Sequence, residues 1–188
     1  MSGAERDEFA AALDRLVADA IGEEAARARA QERTLRSIAE SEATFVGVAL
    51  DLAEHDTTVV ARVASGRTHR GRVLAVGRDW IVLRDDPKPP AFLAVAAISS
   101  LRPQPGWSES DDVAGGRAAP LSVSLGALLA QLSAERPRVQ ITAIGEEPVA
   151  GELRSVGLDV LTLRLDGDRR LAVHLRINAV SEVVLLDL

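Results

Sequence analysis

The stretch VVARVASGRTHRGRVLAVGRDWIVLR, Val59 to Arg84, lies without a gap over VQITAIGEEPVAGELRSVGLDVLTLR, Val139 to Arg164, at a constant offset of 80. Seven of these 26 positions are identical: Val59/Val139, Gly71/Gly151, Val76/Val156, Gly77/Gly157, Asp79/Asp159, Leu83/Leu163 and Arg84/Arg164. After a loop two residues longer in the second copy, VAAISSL (Val95 to Leu101) matches INAVSEV (Ile177 to Val183). Glycines and aspartates coincide as well as valines and arginines, which marks a duplication rather than shared composition.

Alternation of apolar and polar residues makes each copy a sheet. Val59, Ala61 and Val63 alternate with Val60, Arg62 and Ala64, and Val139, Ile141 and Ala143 fall on the corresponding face. Leu171, Val173, Leu175 and Ile177 alternate with Ala172, His174, Arg176 and Asn178, so the first set is expected in the core and the second in solvent. SGR (65–67), GEEP (145–148), Gly77 to Asp79 and Gly157 to Asp159 are turn signals that cut each copy into about five short strands. A helix is expected before each sheet. Phe45, Val48, Ala49 and Leu52 recur at helical spacing, as do Leu125, Leu128, Leu129 and Leu132, with Ser124 as N-cap and Pro137 as stop.

The rest of the chain reads differently. PQPGWSESDDVAGGRAAP (Pro103 to Pro120) has the composition of a flexible linker. The first 43 residues carry an apolar stripe of Phe9, Leu13, Leu16, Val17, Ala20 and Ile21, then a weaker one of Ala28, Leu35 and Ile38, which fits one long helix or two. With 10 acidic and 6 basic residues, this segment is no basic nucleic-acid arm. The expected organisation is therefore a helical segment at 1–43, a first unit at 44–102, a linker at 103–121 and a second unit at 122–188.

Composition removes whole classes of chemistry. The 188 residues contain no cysteine, which excludes disulfides, thiolate metal sites and cysteine nucleophiles. No apolar run reaches the roughly 18 residues of a membrane span, and MSGAERDEF is charged where a secretory leader is apolar. A cytoplasmic protein without membrane contact is expected. Net charge of -6 argues against a surface that grips phosphate everywhere.

A short helix followed by five bent strands, carried here by SGRTHRGRVLAVGRDWIVLRDD and GEEPVAGELRSVGLDVLTLRLD with VAAISSL and INAVSEV behind them, resembles the Sm-like small barrel. The arrangement of N-terminal helix, barrel, linker and barrel is also similar to an actinobacterial family often labelled Fis family transcriptional regulators, although no helix-turn-helix is present in this chain. The resemblance implies two tandem five-stranded barrels of the Sm-like or SH3-like kind in a mainly β, α+β chain. It also implies single-stranded RNA as a ligand, and self-association as a dimer or as a trimer forming a pseudo-hexameric ring. The sequence departs from the Sm nucleotide-binding motif. Gly77 stands where an Asp is expected, no Asn precedes Ile81, Gly157, Asp159 and Val160 depart likewise, and the Arg-Gly pair of the second motif is missing.

The two copies differ most in charge. Val59 to Arg102 holds 8 basic and 3 acidic residues, whereas Val139 to Val184 holds 5 and 7. The difference centres on the first hairpin, where Arg67, His69, Arg70 and Arg72 stand opposite Glu146, Glu147 and Glu152 of the second. Three readings are open for that hairpin: phosphate contact by bidentate arginines, ion pairing between a basic and an acidic unit, or plain solvation. Trp80 either stacks a base or packs at an interface, and packing is the commoner fate of such a residue.

Asp79 and Asp159 read as turn caps. His55, His69 and His174 have no carboxylate at metal or triad spacing, and GGR (115–117) follows no strand as a phosphate loop would. Neither catalysis nor a cofactor or metal is expected. The leading expectation is a non-catalytic Sm-like module that contacts RNA through Arg67, His69, Arg70, Arg72 and Trp80. The alternative is a protein-interaction or oligomerisation scaffold that binds no nucleic acid.

Overall fold

The computed structural model describes residues 24, 27, 29–34, 37, 42–104, 119–167 and 171–187. The chain divides into two compact units, Met1–Ala43 and Thr44–Leu188. In the first, the described residues 24, 27, 29–34 and 37 are helical and exposed. The apolar stripes expected there, and Trp107 of the linker, lie outside the described residues.

Among its described residues the second unit is mainly β, with two α-helices. Helix α1 (Phe45–Glu54) precedes β1 (Thr58–Val63), β2 (Thr68–Val76), β3 (Trp80–Arg84), β4 (Ala91–Ala94) and β5 (Ile98–Pro103). Helix α2 (Leu125–Leu132) precedes β6 (Arg138–Ala143), β7 (Val149–Val156), β8 (Val160–Leu165), β9 (Ala172–Arg176) and β10 (Val180–Leu185). Thr44 and Ser124 cap the two helices, their hydroxyls accepting from Gly47 and Ala127 amides three residues on. Both hydroxyls satisfy a backbone donor that the first helical turn leaves without an intrahelical partner.

All ten strands lie in one open antiparallel sheet, ordered β5-β1-β2-β3-β4-β10-β6-β7-β8-β9. Each copy contributes five neighbouring strands in the same internal order, and their registers coincide. Val59 pairs Gly71 where Val139 pairs Gly151, and the bulges between Val73 and Ala75 and between Leu153 and Ser155 recur at the 80-residue offset. Two closed barrels were expected from the resemblance. Instead the sheet stays open, and β4 pairs with β10, Leu93 opposite Glu182 and Ala91 opposite Val184.

Burial explains the shared sequence. Val59, Ala61, Val63, Val139, Ile141 and Ala143 are all buried, as their alternation requires. Gly71 and Gly151 are shared because β2 and β7 cross their neighbours too closely for a side chain. A Cβ at either would stand 2.3 Å from the Arg84 carbonyl oxygen or 2.2 Å from that of Arg164. The expected core face of β9 is only half-buried at Val173, Leu175 and Ile177, and Leu171 is exposed, because β9 is the outer strand of the sheet and pairs with no described strand other than β8.

The core is continuous across the repeats. Trp80, Val82, Phe92 and Ala94 of the first copy pack into the cluster of Leu125, Leu129, Ile141, Leu153, Leu161 and Val183 of the second. Val184 of β10 packs in return against the cluster around Ala49, Ile81, Leu83 and Leu93. Hydrophobic burial therefore joins the copies as well as building each one.

Candidate functional site

The junction of the two copies concentrates the polar chemistry of the fold. Its centre is Glu182 in β10, fully buried between Leu93 of β4 and Thr142 of β6. An uncompensated carboxylate there would be very costly, so it requires positive partners. The first hairpin supplies the Arg67 guanidinium and, beside it, the His69 imidazole. His69 Nε2 lies 2.9 Å from Glu182 Oε2, and Arg67 Nη2 lies 3.2 Å from Oε1. The second of these is a charge contact without hydrogen-bond geometry, since Oε1 makes no hydrogen bond. Arg67 also donates to the Thr142 hydroxyl at 3.3 Å, and the Ser181 hydroxyl donates to the Thr142 carbonyl at 2.8 Å. β10, through Glu182, and β6, through Thr142, are thereby tied to one first-copy hairpin.

A second set of contacts lies over the β2–β3 turn. The segment entering α2 runs beside it, the Leu121 amide donating to the Val76 carbonyl at 2.9 Å. The Asp79 carboxylate accepts from the Leu125 amide at 2.7 Å, which places a negative charge at the first turn of α2. Trp80 is buried, tilted against Phe92 at 6.0 Å between ring centroids, and its indole donates to the Val123 carbonyl at 2.9 Å. Gly77 makes room for that ring, because a Cβ there would stand 2.2 Å from Trp80 Cε2.

The residues singled out for nucleic acid are thus separated by the fold. Arg67 and His69 face Glu182. Arg72 pairs with Asp56 at the end of α1, and Trp80 faces α2 rather than solvent. Arg70 is exposed; it contributes to holding the Asp85 carboxyl below the usual range, an effect led by the hydrogen bond from Lys88 and opposed by partial desolvation. Of the three readings of the hairpin, the described geometry places Arg67 in the ion-paired one, with His69 in contact with the same carboxylate.

Two functional positions escaped sequence reasoning. Glu182 is an acid inside a β-strand at the position where the other copy has Ser100, a local inconsistency that signals a buried partner. Asp79 reads as a cap of its own turn, but it caps a helix 46 residues away. Among the described residues no cluster of three or more His, Asp or Glu could hold a metal ion. No described helix is long and apolar enough to cross a membrane. Compared with known proteins, the chain matches no protein-family model, no curated protein and no solved structure.

Proposed function

We propose that the chain is a non-catalytic interaction module made of two Sm-like five-stranded units, in which the basic hairpin serves protein association rather than RNA. The observation that carries this reading is the capture of Arg67 and His69 by the buried Glu182. Guanidinium and imidazole groups already facing a carboxylate must give it up before they can neutralise a phosphate, and the abandoned carboxylate would be left buried. Trp80 supports the same reading, since a buried indole with its N–H satisfied offers no face to a base. The shared strand order and bulges of the two copies support the Sm-like assignment, with β4–β10 pairing taking the place of barrel closure.

Contact with single-stranded RNA is the second reading. One observation favours it: Arg70 stays exposed in a repeat that carries 8 basic against 3 acidic residues. Fluorescence anisotropy of the chain with short single-stranded RNA at about 50 and about 200 mM salt separates the two. An interaction module gives no binding at either salt. Binding that falls steeply with salt and is lost in R67A/R70A/R72A would establish the RNA reading in its place.

A further inference from the structure

We infer that the β7–β8 turn, residues 157–160, is a docking seat for a segment of a partner protein, an extended stretch with apolar residues at alternate positions that ends on a Ser or Thr cap and opens a helix. The repeat holds two copies of this seat, and the first is occupied by the chain itself. Residues 121–125 cover the β2–β3 turn. The Leu121 amide donates to the Val76 carbonyl at 2.9 Å, and the Arg78 amide donates to the Val123 carbonyl at 3.4 Å. The Asp79 carboxylate receives the Leu125 amide, and the Leu125 side chain is buried in the same cluster as Trp80. Backbone bonds running in both directions, a carboxylate at the helix start and one buried apolar side chain thus hold the occupant.

The β7–β8 turn has the same skeleton. The Gly77 amide donates to the Trp80 carbonyl at 2.8 Å and the Gly157 amide to that of Val160 at 2.7 Å. The Asp79 carbonyl accepts from Val95 at 2.9 Å and that of Asp159 from Ile177 at 2.8 Å. What differs is the cover. Among the described residues no loop or cap amide reaches the Val156 carbonyl, the Leu158 amide has no backbone acceptor, and the Asp159 carboxylate has no hydrogen-bond partner. Leu158 is 104% exposed and Val160 37%, whereas Trp80, at the position of Val160, is 3% exposed. Leu158 also stands where the first copy has Arg78, so an apolar side chain faces solvent at the uncovered turn in place of a charged one.

The other helix of this chain does not suit the seat. Thr44 corresponds to Ser124 and Phe45 to Leu125 at the offset of 80, so the stretch before α1 offers Ser41, Glu42 and Ala43 where the occupied seat takes Leu121, Ser122 and Val123. It lacks the apolar residue at the first of these positions and brings the acid Glu42 to a seat whose own charge is the Asp159 carboxylate. The occupant is therefore a different protein, with the apolar–polar–apolar–cap order of residues 121–124. The free seat is also the roomier one. A Cβ at Gly77 would stand 2.2 Å from Trp80 Cε2, whereas at Gly157 the nearest atom is Val160 Cγ1 at 3.4 Å. The space above Gly157 that an indole fills in the first copy is thus open in the second.

A labelled synthetic peptide of residues 119–136 is the probe, since it carries the stretch, the cap and the helix that fill the first seat. Its anisotropy is followed on adding the full chain to about 500 µM, a range that spans moderate to weak affinity. The first seat stays closed to it, because the chain's own tethered segment is present there at an effective concentration on the order of millimolar or above. Saturable binding is expected. Leu158→Asp, at a fully exposed position that leaves the fold intact, weakens it at least about tenfold. Val160→Trp rebuilds the Gly77–Trp80 pair over Gly157, returns an indole donor to the peptide, and tightens binding about three- to tenfold, a gain that misfolding cannot produce. A peptide of residues 40–56, the α1 counterpart, stays unbound. No binding to either the parent or Val160→Trp, no gain from Val160→Trp, indifference to Leu158→Asp, or equal affinity for residues 40–56, which would make the occupant a second copy, overturns the inference. It rests on the reading of the chain as an interaction module, and the two fail separately: RNA binding sinks that reading and leaves this seat standing, while a chain that ignores both RNA and the peptide sinks this seat alone.

Discussion

The carboxylate of Asp79 in the first repeat lies 2.7 Å from the backbone amide of Leu125, the first residue of the helix that begins the second repeat. Its counterpart Asp159 occupies the same turn with no described helix above it. Equivalent residues thus carry unequal weight. Asp79→Ala is expected to destabilise the chain by about 1–2 kcal/mol, because a charge-assisted bond to a helix N-terminus is lost. Asp159→Ala, measured at low concentration by urea denaturation, is expected to change stability by less than about 0.5 kcal/mol. Equal losses at both positions would remove the distinction.

Trp80 and Gly77 form a matched pair at the same junction. Trp80→Ala should cost about 3–5 kcal/mol as an aromatic deleted from a core. Trp80→Phe keeps most of the packing and abandons the Val123 carbonyl, at about 1–2 kcal/mol. Gly77→Ala cannot be accommodated without moving the indole, so its thermal midpoint should fall and the emission of Trp80 shift. An unchanged midpoint would show that the ring does not sit over the glycine.

Acid sensitivity has one legible source in the second hairpin. Hydrogen bonding from Arg154 comes first among the influences that hold the Glu152 carboxyl below its usual range; partial desolvation opposes it, and Arg164 adds charge and a further hydrogen bond. A carboxyl whose folded pKa is depressed stabilises the fold above its unfolded pKa and loses that contribution as pH falls through the folded value. The stability gap between the parent and Glu152→Gln should therefore be greatest near neutral pH and close below the ordinary glutamate pKa of about 4.3. A gap that widens in acid would reverse the sign and refute the pairing.

What the sequence discloses here is the content of each repeat, and what it conceals is how the repeats meet. The offset of 80 residues becomes an equality of register down to the bulges, because glycines such as Gly71 and Gly151 are demanded by strand crossing that both copies share. Ser124 is legible as a cap because capping is local. The β4–β10 pairing is not legible, since backbone donors and acceptors are the same on every edge and no side-chain pattern names a partner strand. Trp80 shows the same divide. Its apolar neighbours Ile81 and Val82 mark it as buried or packing, but the carbonyl it finds lies 43 residues on, beyond a linker. Arg67 and His69 look like a phosphate-binding hairpin only while Glu182, more than 100 residues away, is left out of view.

The claim that the basic hairpin holds the two repeats together stands most directly on the coupling of Arg67 to Glu182, and a double-mutant cycle measures it. Arg67→Ala, Glu182→Ala and the double variant are unfolded in urea at neutral pH and low salt. Arg67→Ala is expected to cost more than Glu182→Ala, since it leaves a buried carboxylate with the His69 imidazole as its remaining described side-chain contact, whereas loss of the acid leaves a guanidinium that can turn toward water. The pair should show a coupling of at least about 1 kcal/mol. Additivity within about 0.3–0.5 kcal/mol would mean that Arg67 is not committed to Glu182 and would contradict the account.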